Sequence, residues 1–77
     1  MRVVYHDGDE WFAVLRNDST GEHFIEVESG GTSALTYRVR LTREEIRMFE
    51  RGIEALRPLA AQIRLWPEKY THRTILL

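Results

Sequence analysis

Cysteine is absent from the 77 residues, so neither a disulfide nor a thiolate metal site can stabilise the fold. The sequence also lacks the run of about 18 apolar residues that a membrane-spanning helix needs. Its N-terminal apolar stretch, residues 3–5, is too short for a signal peptide, and we expect a cytoplasmic protein with no membrane partner. A chain this short forms one domain, 1–77, and buries only about 60–65% of its unfolded surface, which leaves oligomerisation or unusually good packing as the source of stability.

An excess of either charge is absent as well. The chain has 11 basic and 12 acidic residues and a net charge of −1, which argues against a protein built mainly to bind a polyanion. The charges are unevenly placed, with seven acids and one base in residues 7–28 and nine bases and five acids from residue 38 onward. This polarity favours packing between the two halves or association with an oppositely charged partner.

Metal-binding and catalytic motifs are also missing. The three histidines are never spaced as a local ligand pair, and His23 is expected to be a structural residue near one end of the sheet. The glycine-rich segment 29–32 lacks phosphate-loop spacing, and no serine has a neighbouring base that would activate it. We therefore expect no catalytic residue, no metal site and no cofactor, and we interpret the protein as non-enzymatic.

Two kinds of periodicity divide the chain. Apolar residues alternate in the first half, which predicts strands at 3–6, 10–16, 22–28 and 34–41, whereas the second half has helical spacing. The Asp7-Gly8 turn and the polar loops at 17–21 and 29–33 are short connections that favour an antiparallel meander. The predicted fold class is α+β: a three- to four-stranded antiparallel meander sheet followed by a helical segment, either one kinked helix or two short helices, packed on one face.

Symmetric folding of the loop at 29–33 predicts the register of the last two strands. The apolar residues of both strands then share the face toward the helices, the pairs being Val27 with Leu35 and Ile25 with Tyr37. Opposite charges come within reach on the other side, which we call the reverse face, the pairs being Glu22 with Arg40 and Glu26 with Arg38. A slip by one residue would turn the apolar side chains away from the core.

The same folding of the loop at 17–21 predicts the register of the second strand. Trp11 then pairs with Val27 and Ala13 with Ile25, on the face toward the helices. The reverse face collects Phe12, Val14 and Phe24. The register of the first hairpin stays open, because a two-residue and a three-residue turn place opposite faces of residues 3–5 toward the core.

The start of the helical segment is the most specific local signal. Thr42 and Glu45 have the spacing of a capping box, in which each side chain accepts a hydrogen bond from the other residue's backbone N–H. Gly52 either ends the helix or weakens it, and Pro58 either kinks one helix or occupies the first turn of a second. The tail, residues 70–77, either adds an edge strand or is disordered.

A stripe of arginines supports an alternative function. Arg43, Arg47 and Arg51 recur at every fourth position, downstream of Arg38 and Arg40 in the last strand. Such a stripe can follow the phosphates of a nucleic acid. The glutamates at 44, 50 and 54 and the acidic first half of the chain oppose this attraction. The alternative is therefore a nucleic-acid-associated regulator.

The reverse face of the sheet is the predicted binding surface. Phe12, Val14 and Phe24 form its apolar centre, and Arg38 and Arg40 belong to its charged rim, an arrangement typical of protein interfaces. The predicted function is that of a small protein–protein interaction module, such as an inhibitor, an immunity-type protein or a regulator. We expect the partner to be another protein or a second copy, which would give a homodimer through this face.

Overall fold

A computed structural model describes residues 1–6, 12–28 and 36–76, and within them the chain forms a five-stranded sheet and two α-helices. The strands are β1 (Arg2–His6), β2 (Phe12–Arg16), β3 (His23–Glu28), β4 (Thr36–Arg40) and β5 (Thr74–Leu76). They pair antiparallel in chain order. The predicted α+β class and meander are confirmed, with one strand more than expected because the C-terminal segment pairs with β4.

Some sequence predictions fall outside the described residues. The Asp7-Gly8 turn, the loop at 29–33, and the side chains of Trp11 and Leu35 belong to this group. Among the described residues, no helix has the combination of length and apolar character that would let it cross a membrane.

The first helix, α1 (Arg43–Arg51), begins at the predicted capping box. Thr42 Oγ1 accepts a hydrogen bond from the backbone N–H of Glu45 at 3.2 Å, and Glu45 Oε1 accepts one from the backbone N–H of Thr42 at 2.8 Å. At the other end, the Gly52 N–H donates to the carbonyl oxygens of Met48 and Phe49. These bonds fix both ends of a nine-residue helix.

The helical segment consists of two helices rather than one kinked helix. A 3₁₀ turn, Ile53–Leu56, follows Gly52 and leads into α2 (Arg57–Leu65). Pro58 lies in the first turn of α2, where the N–H that proline lacks would have no helical partner. A second 3₁₀ helix, Pro67–Arg73, then returns the chain to the sheet.

The hydrophobic core lies between one face of the sheet and the helical segment. Its side chains with no solvent exposure come from both layers: Val14, Ile25, Val27, Val39, Leu56, Ala60 and Ile63. Tyr70 closes the core and donates a hydrogen bond to Gln62 Oε1 at 2.7 Å. In α1 no residue is buried, and Ile46 and Phe49 are only partly covered by the core.

The register between β3 and β4 differs from the prediction by two residues. Ile25 lies opposite Val39, and Val27 lies opposite Tyr37. A shift of two residues leaves every side chain on its predicted face, because side chains alternate with period two. Both predicted charge pairs therefore form on the reverse face: Arg38–Glu26 at 2.8 Å and Arg40–Glu22 at 3.5 Å.

The register between β2 and β3 differs by one residue, and this exchanges the faces of β2. Phe12 lies opposite Val27 and Val14 opposite Ile25, so both belong to the buried core and their predicted place on the reverse face is wrong. The cause is the loop: Asn17 N–H donates to the Glu22 carbonyl at 2.8 Å, which closes a loop of residues 18–21. Gly21 completes it with a φ of 78°, which glycine adopts without strain.

The first hairpin combines both of the alternatives that the sequence leaves open. Val3 pairs with Leu15 and lies on the reverse face, whereas Tyr5 pairs with Val14 and packs on the core. An irregularity in the pairing between Val3 and Tyr5 permits this change of face.

Candidate interaction surfaces

Two long cross-strand rows and one short row make up the described part of the reverse face. One long row contains Val3, Leu15, Phe24 and Arg40, the other contains His6, Ala13, Glu26, Arg38 and Ile75, and the short row pairs Glu28 with Thr36. Of the predicted interface residues, Phe24, Arg38 and Arg40 lie on this face. Phe12 and Val14 do not, because they face the helices.

The apolar centre of the reverse face is already buried in the monomer. Phe24 is 3% exposed and Leu15, directly opposite it, is 7% exposed. The exposed apolar side chains are at the two edges of the sheet, with Val3 at 55% and Ile75 at 46%. The face therefore has charged side chains between apolar edges, whereas the sequence predicts an apolar centre inside a charged rim.

The two arginines of this face are held differently. Arg38 donates from Nε at 3.1 Å and from Nη2 at 2.8 Å to the same oxygen, Glu26 Oε2, and its side chain is 21% exposed. Arg40 is 55% exposed and reaches Glu22 at 3.5 Å. Arg40 is therefore more available to a partner, because less of its side chain is already engaged.

The arginines of α1 form the predicted stripe and are exposed. Within the described residues, no ion pair involves Arg43, Arg47 or Arg51, although each has a glutamate nearby in sequence. Arg43 and Arg40 line one depression of about 400 Å³. The stripe thus continues from the reverse face around the end of the sheet onto α1.

The outer side of α1 contains a residue that the sequence analysis missed. Met48 is 38% exposed and lines a depression of about 280 Å³ together with Glu44, Arg47 and Arg51. These four positions have the spacing i, i+3, i+4, i+7 of a helix face that packs against another helix. That spacing is visible in the sequence, but the apolar stripe toward the core masks it.

A second missed feature joins the C-terminal segment to α1. Arg73 Nη1 lies 2.7 Å from Glu45 Oε1 and also donates to the Arg40 carbonyl at 3.1 Å. Burial raises the pKa of Glu45, but the hydrogen bonds from Arg73 and Thr42 and the charge of Arg73 outweigh it, leaving the pKa below its ordinary value of 4.5. The pair fixes the path of the chain into β5.

No three His, Asp or Glu side chains in the described part of the chain are grouped to hold a metal ion. His23 Nδ1 is 3.1 Å from the Gly21 carbonyl, and its ring centroid is 6.4 Å from that of Phe49. These contacts fit the structural role predicted for His23.

Comparison of the chain with protein-family models, with curated proteins and with solved structures finds no significant match. Function is therefore inferred from the reverse face and from the outer side of α1.

Proposed function

We propose that this chain is a small, non-enzymatic protein-interaction module that self-associates as a homodimer. In this proposal it acts as inhibitors, immunity-type proteins and regulators do, by occupying the surface of another protein. The observation that carries the proposal is the one-sided core. The helical side chains with no solvent exposure in the described part of the chain, Leu56, Ala60 and Ile63, all belong to the core on the other face of the sheet, and none lies on the reverse face.

Association with a second copy would add buried surface, and therefore stability, to this short chain. A domain of this size gains limited stability from its own core, and association is a common way to bury more surface. Two surfaces are candidates for contact with a second copy: the reverse face, with Val3, Ile75 and Arg40 exposed, and the outer side of α1, with Met48 and its arginines.

The ion pairs support the non-enzymatic part of the proposal. The carboxylate with a perturbed pKa among the described residues, Glu45, is engaged by Arg73 and the helix cap, so its environment has a structural explanation. A cytoplasmic location belongs to the same proposal, because a cysteine-free chain suits a reducing compartment.

Sedimentation velocity tests the self-association. We expect the weight-average mass to rise toward twice that of the chain as the concentration increases from about 10 µM to about 1 mM, the range in which small interfaces associate. A mass equal to that of one chain at every concentration would contradict the proposal.

The unpaired arginines of α1 favour a second candidate function, binding to nucleic acid. If Arg43, Arg47 and Arg51 each neutralise one phosphate, log affinity for a 20-base-pair duplex should fall with log salt with a slope of about −2.7. Fluorescence anisotropy would measure this slope for the wild type, for Arg47→Glu and for Arg2→Gln as a control on β1. Binding that Arg47→Glu leaves intact, or that does not respond to salt, would exclude the stripe as the site.

A further inference from the structure

In the described part of the chain, the outer side of α1 carries unpaired charges beside an exposed apolar side chain. Its four central residues, Glu44, Arg47, Met48 and Arg51, carry one negative charge, two positive charges and one apolar side chain. Within the described residues none of the three charged side chains forms an ion pair, and Met48 is 38% exposed. The face therefore offers a partner both unpaired charges and exposed apolar surface.

We infer that α1 packs antiparallel against α1 of a second copy, so that this face is the dimer interface; the inference rests on the proposed self-association. A two-fold axis between Arg47 and Met48 places Glu44 opposite Arg51 of the second copy. The same axis places Arg47 opposite Met48 of the second copy. Symmetry repeats each contact, so all four positions of both helices are paired.

The charges select this arrangement over a parallel one. In the antiparallel register each Glu44 faces an arginine, and the aliphatic stem of Arg47 can cover the Met48 side chain while its guanidinium stays in water. A parallel register would place Glu44 against Glu44 and Arg51 against Arg51, which is repulsive. Antiparallel helices also bring the positive end of each helix dipole beside the negative end of the other.

The flank of the same helix is compatible with this register. The axis places Arg43 opposite Gly52 of the second copy, just beyond the C-terminal end of that helix. Gly52 has no side chain, and a Cβ added there would meet nothing within 4 Å, so a guanidinium has room to approach. The carbonyl oxygens at that helix end carry partial negative charge and attract a cation.

The same residues argue against a phosphate chain as the occupant. Glu44 lines the depression between the arginines and would repel each nearby phosphate, whereas in the dimer it is a required partner. The exposed methionine gains nothing from a phosphate but is buried by a second helix. Arginine and methionine are both enriched in protein interfaces.

The size of the interface sets its strength. A nine-residue helix is about 13.5 Å long at about 1.5 Å per residue. A contact of this length buries less than about 1,200 Å², so the dimer is weak and reversible. Its dissociation constant should rise with salt, because the Glu44–Arg51 contacts lie at the protein surface.

Charge exchange tests the register. Glu44→Arg and Arg51→Glu each turn two attractive contacts into repulsive ones, so each variant alone should show at least about a tenfold rise in dissociation constant by sedimentation. An equimolar mixture of the two should form a heterodimer with about the wild-type constant, because every arginine again faces a glutamate. The double variant Glu44→Arg/Arg51→Glu should dimerise like the wild type. Circular dichroism would verify that each variant is folded.

Matched controls separate this inference from the function on which it rests. Glu50→Arg makes the same charge change on α1 outside the four-residue face, and it should leave the dissociation constant within about threefold. A wild type that is monomeric throughout overturns both the self-association and the inference. A dimer that survives both single variants, or a mixture that fails to associate, overturns the α1 register alone. In that case a dimer broken by Val3→Asp would place the interface on the reverse face.

Discussion

Replacing Phe24 by aspartate is expected to unfold the protein rather than to dissociate a folded dimer. The side chain is 3% exposed and lies against Leu15, which is also buried. Truncating a buried phenylalanine costs about 3–5 kcal/mol, and a buried carboxylate adds several more. The whole free energy of unfolding of a chain this short is about 4–12 kcal/mol. Far-UV circular dichroism should show the loss of structure at 25 °C, a temperature at which most small domains are near their most stable.

Val3→Asp is the matched control, because Val3 lies in the same cross-strand row but is 55% exposed. An aspartate there stays in water, so the free energy of unfolding should change by no more than about 1 kcal/mol. A Phe24→Asp protein that melted like the wild type would show that Phe24 is accessible. Phe24 could then lie at the centre of an interface, as the sequence predicts.

The contrast between these two residues shows where sequence reasoning failed. Residues 11–15 are apolar without interruption, so alternation in β2 cannot decide which side chains face the core. The register then depends on the length of the 17–22 connection, and an error of one residue exchanges the two faces. This one-residue error alone explains why the sequence predicts Phe12 and Val14 on the reverse face, whereas the structure places them in the core.

β4 was predicted more successfully because its pattern is more restrictive. Apolar and polar residues alternate from residue 35 to residue 41, so any acceptable register keeps Val39 inside and Arg38 outside. An error of two residues was harmless to the faces, and both charge pairs formed: Glu26 lies directly opposite Arg38, and Arg40 reaches Glu22 as a diagonal neighbour. The face assignment was therefore predictable, although the pairing itself was not.

The start of α1 was predictable, whereas its C-terminal end and its outer surface were not. The capping box depends on residues three apart, so local sequence suffices for the start, but the sequence left open whether Gly52 ends the helix or weakens it. Arg47 and Arg51 each have a glutamate three residues away in the sequence, yet within the described residues neither arginine forms an ion pair, so spacing alone does not predict pairing. The Glu45–Arg73 pair joins residues far apart in the sequence, which local spacing cannot reveal.

The Glu45–Arg73 pair also predicts how stability depends on pH. The folded pKa of Glu45 lies below its ordinary value of 4.5, so below that pH the unfolded chain binds more protons than the folded chain. The contribution of Glu45 is thus complete above about pH 4.5 and is lost as the pH falls through the folded pKa. Acidification should weaken the attachment of the C-terminal segment through this pair.

Glu45→Gln isolates the charge from the helix cap, because glutamine can still accept the Thr42 N–H in a capping box. The side chains of the pair are 17% and 14% exposed, so at about pH 7 the variant should lose about 1–2 kcal/mol of unfolding free energy. The difference from wild type should shrink as the pH falls from about 7 through the folded pKa of Glu45, because the wild-type side chain then becomes neutral as well. Glu50→Gln, on the exposed side of α1, should change stability by no more than about 0.5 kcal/mol at about pH 7. Urea titrations across this pH range measure both variants, and a Glu45→Gln deficit that stays constant with pH would show that the charge of Glu45 contributes nothing to the fold.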